Sequence, residues 1–249
     1  MSMAVAASLS AQRLFASHRG VAVAAIVFLI LLATVDFISA GPLTYFDISF
    51  LSSGGATSAL AAIGQTIVIL SGGFDLSAGA VISLVNAVLA SSMDPMAMEA
   101  NVLLWTLVGV GIGMATGAVN GFFIAVVRLQ PIVVTLSTMF IIQGVTLLVM
   151  DKPGGFVSPS LGTFYLGDAV PGWLPMPIAL IGVVLLAWTW LKNTRLGTAI
   201  YAIGSDPDAA AAVGVATVLT RFLVYVIAGG CYGLAGVFIR MMSYLSYLY

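Results

Sequence analysis

The sequence predicts an all-α, polytopic membrane protein, and three observations carry that reading. The 249 residues are 61% hydrophobic and only 7% charged, with a mean hydropathy of +1.16, whereas soluble domains carry about a quarter charged residues. Apolar runs recur along the whole chain at lengths near the roughly 20 residues that a spanning helix needs, within a range of about 17–25. The basic residues divide unequally between the two sets of loops that these runs define.

Seven candidate spanning segments follow: 21–40, 54–70, 76–92, 102–127, 132–150, 176–191 and 219–241. The second, third and sixth are short, so they are expected to be tilted, broken or re-entrant. Arg13 and Arg19 precede the first run, as in a secretory signal. The many spans that follow make it a retained signal-anchor instead.

Orientation comes from the positive-inside bias. A cytoplasmic N-terminus puts Arg13, Arg19, Arg128, Lys192, Arg195 and Arg221 inside, six of the eight basic residues, and leaves Lys152 and Arg240 outside. Within a single transmembrane domain, 1–249, residues 1–20 are then a cytoplasmic tail and 192–218 a cytoplasmic segment. The outer loops carry Asp47, Asp94, Glu99, Asp151 and Asp168. The largest of them is 151–175. Its KPGG, SPS and VPGWLPMP runs suggest an ordered lid or a short re-entrant piece.

Gly109, Gly113, Gly117 and Gly121 recur every four residues on the fourth span. That spacing puts them on one helix face, where another backbone can come close. The stripe suits either packing within one subunit or a dimer seam, and internal packing is the favoured reading. Gly229 and Gly233 repeat the spacing on the last span.

The run ILSGGFDLSAGAV, residues 69–81, places Asp75 inside an apolar stretch. An acid at a helix centre costs about 2.5–3.5 kcal/mol on insertion scales, so it needs water, a polar cavity or a partner. The topology puts it between the second and third spans, near the cytoplasmic face. Gly72 and Gly73 are expected to end one helix through positive φ, and Asp75 to cap the next by accepting its free N–H groups. The competing reading is an intramembrane acid used in transport. The cap is the favoured one.

A second local pattern lies in the cytoplasmic segment. Asp206 suits an N-cap, Pro207 the first helical position, Asp208 the first turn and Gly214 a C-cap around a small alanine-rich helix at 209–213. Such a helix fits a groove on a partner protein; the plainer reading is a surface linker.

Several function classes are excluded. There is no G-x-x-x-x-G-K-[ST] phosphate loop, and Lys152 and Lys192, the only lysines, have the wrong neighbours. No H-E-x-x-H, C-x-x-C or G-x-S-x-G motif is present, and His18 and Cys231 are the only residues of their kinds. No disulfide, metal centre, cofactor or enzyme activity is therefore expected. A net charge of −1 gives no footprint for nucleic acid.

Three blocks together carry a resemblance. GGFDLSAGA, with Gly72, Gly73, Asp75, Ser77 and Gly79, is similar to a GG-[IF]-DLS-x-G signature. NGFFIAVVRLQPIVVTLSTM, residues 120–139, and TRLGTAIYAIGSDPDAAAAVGV, residues 194–215, follow in the same order. The chain resembles the permease subunits of sugar-type bacterial ABC importers, the ribose, xylose and galactose family. Branched-chain amino acid permeases are related but usually lack the glycine–glycine–acid turn.

The resemblance implies a multi-pass protein of the bacterial cytoplasmic membrane with about ten spans. Relatives continue past the seventh, so an incomplete bundle is expected here. It implies an ATP-binding subunit, a second permease copy and a periplasmic or lipid-anchored sugar-binding protein as partners, besides membrane lipid. It assigns Gly204, Asp206, Pro207, Ala209, Ala210 and Gly214 to coupling with the ATPase. Candidate path residues are Gln65, Asn86, Thr135, Thr138 and Gln143, with Ser137 beside them. Their polar groups suit sugar hydroxyls, a neighbouring helix or, for Ser and Thr, their own backbone. Asn120 is read as structural. An ion-coupled secondary transporter is the alternative class; it needs ionisable groups at mid-membrane, and only Asp36 and Asp75 are candidates, both near span ends.

Overall fold

The computed structural model describes residues 3–38, 41–91, 101–152, 154–155 and 157–243, with side chains from residue 19 onward. The expectations for Arg13, His18, Asp94 and Glu99 lie outside the described side chains. The chain divides into two compact units, residues 1–48 and 49–249.

In the first unit, α1 runs over Met3–Ile38, and its portion Arg19–Ile38 is long and apolar enough to span a bilayer. The chain turns after it, where the Leu43 N–H donates to the Asp36 carboxylate at 2.9 Å. Thr44 and Asp47 then form a reciprocal cap. The Thr44 N–H donates to Asp47 Oδ2 at 2.8 Å, and the Asp47 N–H to Thr44 Oγ1 at 3.4 Å. Two orphan donors are thereby satisfied where α2 (Tyr45–Leu70) begins.

The second unit holds the rest of α2 and the helices that follow. These are α3 (Ala78–Ser91), α4 (Val102–Gly121) with a π-helical turn Phe122–Val126, α5 (Pro131–Val149) and α6 (Pro159–Leu166). A hairpin of β1 (Asp168–Val170) and β2 (Leu174–Pro175) pairs Asp168 with Pro175 and Val170 with Leu174. After it come α7 (Met176–Leu191), α8 (Arg195–Ser205), α9 (Pro207–Ala212) and α10 (Thr217–Met242).

Among the described residues, five helices are long and apolar enough to span, and α7 with α8, bent by 78°, makes up to a sixth. The third apolar segment is a short helix of 14 residues. The second segment, expected to be short, is a helix of 26 residues. Its polar start, with Ser52, Ser53, Gly54 and Gly55, hides it from a hydropathy reading. The Ser52 and Ser53 hydroxyls donate to the carbonyls of Ser49 and Phe50, so the helix passes through.

Helix α10 is the centre of the bundle, packed most extensively on α4 and next on α3. The glycine stripes explain the first contact. A methyl on Gly113 would strike the Gly229 carbonyl, and one on Gly229 would strike the Gly113 carbonyl. Gly117 lies in the same way on the Tyr225 carbonyl, and Gly233 on the Gly109 carbonyl. The two stripes face each other within one chain, backbone to backbone, which is the geometry small residues permit.

At one end of the bundle the described residues of the 151–175 segment make contacts among themselves and with α2 and α10. Ser158 caps α6, accepting from the Leu161 N–H at 3.3 Å. The buried Tyr165 hydroxyl donates to the Ser53 carbonyl at 2.7 Å, and its ring packs on Phe238 at 5.2 Å between centroids. Overpacking a filled seam costs about 1–3 kcal/mol or more. Gly113→Leu should therefore sharply lower the melting temperature of the purified protein. Gly111→Ala, whose Cβ meets nothing within 4 Å, should leave it unchanged or slightly raised. Equal melting temperatures for the two variants would contradict the seam.

Candidate functional site

The GGFDLSAGA block is the turn between α2 and α3. Gly72 has φ +77°. Its N–H donates to the Ile69 carbonyl at 2.9 Å and the Gly73 N–H to the Val68 carbonyl at 3.0 Å. This is the paired-bond ending that a left-handed glycine provides. Gly73 is not left-handed, contrary to expectation. It is needed for space, because a Cβ there would press on the Tyr225 hydroxyl, which donates to the Phe74 carbonyl at 3.3 Å. Gly79 has open space where a Cβ would stand.

Asp75 is 5% exposed. Its Oδ1 accepts from the Ser77 N–H at 2.8 Å and from the Ser77 hydroxyl at 2.6 Å. The Ser77 carbonyl accepts from the Val81 N–H at 2.9 Å, so Ser77, not Asp75, is the residue at the N-cap of α3. Asp75 fixes that residue from two positions upstream, an Asx turn rather than a cap on the helix interior. Burial raises the pKa of this turn carboxyl, and the two bonds from Ser77 pull the other way without prevailing.

The 120–139 block meets the turn directly. Asn120, 0% exposed, donates from Nδ2 to Ser77 Oγ at 3.0 Å. Its Oδ1 accepts from the Thr138 hydroxyl at 2.7 Å. The buried Thr135 Oγ1 accepts from the Leu76 N–H at 3.1 Å and donates to the Pro131 carbonyl at 2.9 Å. One chain of bonds, Asp75–Ser77–Asn120–Thr138, thus ties the turn to the last turn of α4 and the early turns of α5. Just beyond Asn120 the π-helical turn closes with bonds from the Val127 and Leu129 N–H groups to the Phe122 and Phe123 carbonyls, at 3.2 and 3.0 Å. It ends at Arg128, φ +65°, which among the described residues is the one non-glycine at positive φ.

The 194–215 block completes the convergence. Gly204, near the end of α8, lies so close to the same turn that a Cβ would strike the Leu70 carbonyl. Asp206 Oδ1 accepts from the N–H groups of Asp208 and Ala209 at 2.9 and 3.0 Å, and Pro207 opens α9. Gly214, φ +86°, closes it, with bonds from Gly214 to Ala211 and from Val215 to Ala210, both 3.0 Å. Ala210 is buried against its own chain, whereas Ala209, Ala212 and Val213 face outward, Val213 at 80% exposure.

Of the candidate path residues, the structure brings Thr135 and Thr138 into the junction and leaves the others apart from it. Gln65 Oε1 accepts from the Tyr232 hydroxyl on α10 at 3.0 Å. The Ser137 hydroxyl bonds its own helix at the Val133 carbonyl. Asn86 Oδ1 is buried with no hydrogen-bond partner, as is Thr57 Oγ1. Gln143 is exposed on α5. Asn120 joins three segments, the turn before α3, α4 and α5, a role wider than its sequence reading. Tyr225 and Tyr232 were not singled out, although a tyrosine in an apolar helix signals a hydroxyl in need of a partner.

Replacing Asp75 separates shape from charge. Asp75→Asn keeps an acceptor for Ser77 and should retain most of the folded protein. Asp75→Leu strands two donors, each costing about 1–3 kcal/mol when buried, and should lose folded yield in size-exclusion profiles. Identical yields would show that the Ser77 bonds carry no stability.

A family model described as the permease component of the branched-chain amino acid transport system matches residues 47–247. The ribose import permease protein of Escherichia coli strain K12 is 32% identical over 216 residues, covering 85% of this chain and 66% of that protein. The galactofuranose transporter permease protein of the same strain is 36% identical over 186 residues, 74% of this chain and 53% of that protein. The galactose/methyl galactoside import permease protein of Salmonella typhimurium is 31% identical over 228 residues, 85% and 68%. The chain thus spans between about half and two thirds of the length of these relatives. No solved structure matches it. The chain belongs to this family of transport-system permease components, on the side whose named members are permeases for sugars.

Proposed function

We propose that the chain is the membrane-spanning subunit of an ATP-driven ABC importer for a monosaccharide or similar small polar solute. Its relatives' names, ribose, galactofuranose, galactose and allose permeases, support the solute class. It forms part of the solute path and couples to a separate ATP-binding subunit, with a second permease copy and a solute-binding protein as further partners. Asn86, with its unpartnered oxygen, and Gln143, exposed in mid-helix, are the candidates left to face solute.

The observation that carries the coupling role is α9. It is capped at both ends, braced through Ala210 and, by way of Gly204 on α8, set against the Asp75 turn, and it presents Ala209, Ala212 and Val213 outward. A rigid, small-faced helix with one exposed valine suits a groove on a partner. Its end of the bundle also holds Arg128, Lys192, Arg195 and Arg221, the opposite end Lys152 and Arg240. This asymmetry supports a cytoplasmic location for α9 and for the N-terminus, in a bacterial cytoplasmic membrane.

Val213→Glu, tested in the complete transporter with its ATPase, should weaken ATPase pull-down about tenfold or more and abolish hydrolysis stimulated by the loaded binding protein. Membrane insertion should be untouched. Unchanged pull-down and stimulation would reduce α9 to a linker. Orientation has its own test in a Cys231→Ala background. An impermeant thiol reagent applied to intact cells should label Trp173→Cys and spare Val213→Cys; the reverse pattern would invert the topology.

A further inference from the structure

At the α9 end, a cleft of about 500 Å³ opens between the start of α5, the π-helical turn, α9 and the first turn of α10. Arg128, Gln130, Asp208, Thr217 and Arg221 supply its polar lining. Two guanidinium groups against one carboxylate leave the lining net cationic, and no ion pair joins these three side chains. Arg128 takes part in the wall through a left-handed backbone, φ +65°, rare for a non-glycine residue. A shallow groove of about 520 Å³ adjoins this cleft and shares Thr217 and Val218 with it. The rest of its lining, Val126, Val215, Ala216, Leu219 and Phe222, is apolar.

The pair is a cationic pocket continuous with an apolar channel. It lies where the spanning helices end, Val126 closing one and Thr217 opening another. That is the depth of a lipid phosphate, with acyl chains on one side and water on the other. A carboxylate on a docked protein would suit the arginines but not the apolar groove. We propose that the site binds an anionic phospholipid, with its phosphate between Arg128 and Arg221 and an acyl chain along Val126, Leu219 and Phe222. Bound there, the lipid bridges α9, α10 and the turn after α4, elements that the proposed coupling also uses.

The test uses the purified chain alone, so that it is independent of ATPase coupling or transport. Its melting temperature is followed against short-chain phosphatidylglycerol, the matched phosphatidylcholine and inorganic phosphate. Phosphatidylglycerol should stabilise it, and the other two should not at the same concentrations. A basic residue near the membrane surface is worth about fivefold in anionic-lipid binding. The Arg128→Gln/Arg221→Gln double variant should therefore bind phosphatidylglycerol roughly 25-fold more weakly. Asp208→Asn should bind severalfold more tightly, and Lys192→Gln, outside the cleft, should match the native chain. Equal stabilisation by phosphatidylcholine would overturn the proposal, and so would phosphate acting as well as the lipid. A double variant that keeps the native phosphatidylglycerol affinity would overturn it as well.

Discussion

A carboxyl group buried among apolar helices needs hydrogen-bond partners, and Asp75, whose Oδ1 takes two bonds from Ser77, imposes that condition on what surrounds it. Its bonds to Ser77 set the first turn of α3. Ser77 in turn needs Asn120, and Asn120 needs Thr138. In low dielectric a linked set of this kind is costly when incomplete and specifying when complete. It fixes the register of α3 against α4 and α5 in a bundle where apolar side chains alone would allow sliding. It also explains why the first two sequence blocks, far apart along the chain, belong to one place; the third meets the same turn through the close approach of Gly204.

The second constraint is steric. The glycine faces of α4 and α10 bring two backbones into contact with no side chain to yield. Those helices form a stiff pair running the height of the bundle. Immediately below the seam α4 gives way to π-helical winding and the left-handed Arg128. π-helical turns recur at functional sites. Here the irregular stretch adjoins both the hydrogen-bonded junction and the cleft beside α9. The rigid seam lies above this irregular stretch, and the start of α5 and α9 share the lining of the cleft beside it.

What the sequence made legible was local. The caps of α9 depend on bonds between residues two to five apart, so Asp206, Pro207 and Gly214 announce them directly. Gly72 was readable for the same reason. Gly73 was not, because its constraint is a tyrosine 152 residues away in sequence. The Asn120–Ser77 bond spans 43 residues and exists only once α3 and α4 are side by side. The outward direction of α9 was equally hidden, since six short residues carry no periodic signal, and Ala210 turned out to face inward. The start of α2 was masked by serines and glycines that hydropathy counts as loop but that a helix satisfies internally. Among the described residues the seven apolar runs therefore became five or six spans and a short helix.

The junction is one connected unit. Ser77 and Thr138 do not bond each other; each bonds Asn120. A double-mutant cycle of Ser77→Ala and Thr138→Val, read as unfolding free energy of the purified chain, tests the connection most directly. Connected groups should show a coupling energy of about 0.5–3 kcal/mol. Strict additivity, within about 0.3–0.5 kcal/mol, would mean that the bonds are independent and that no single junction holds the three segments together.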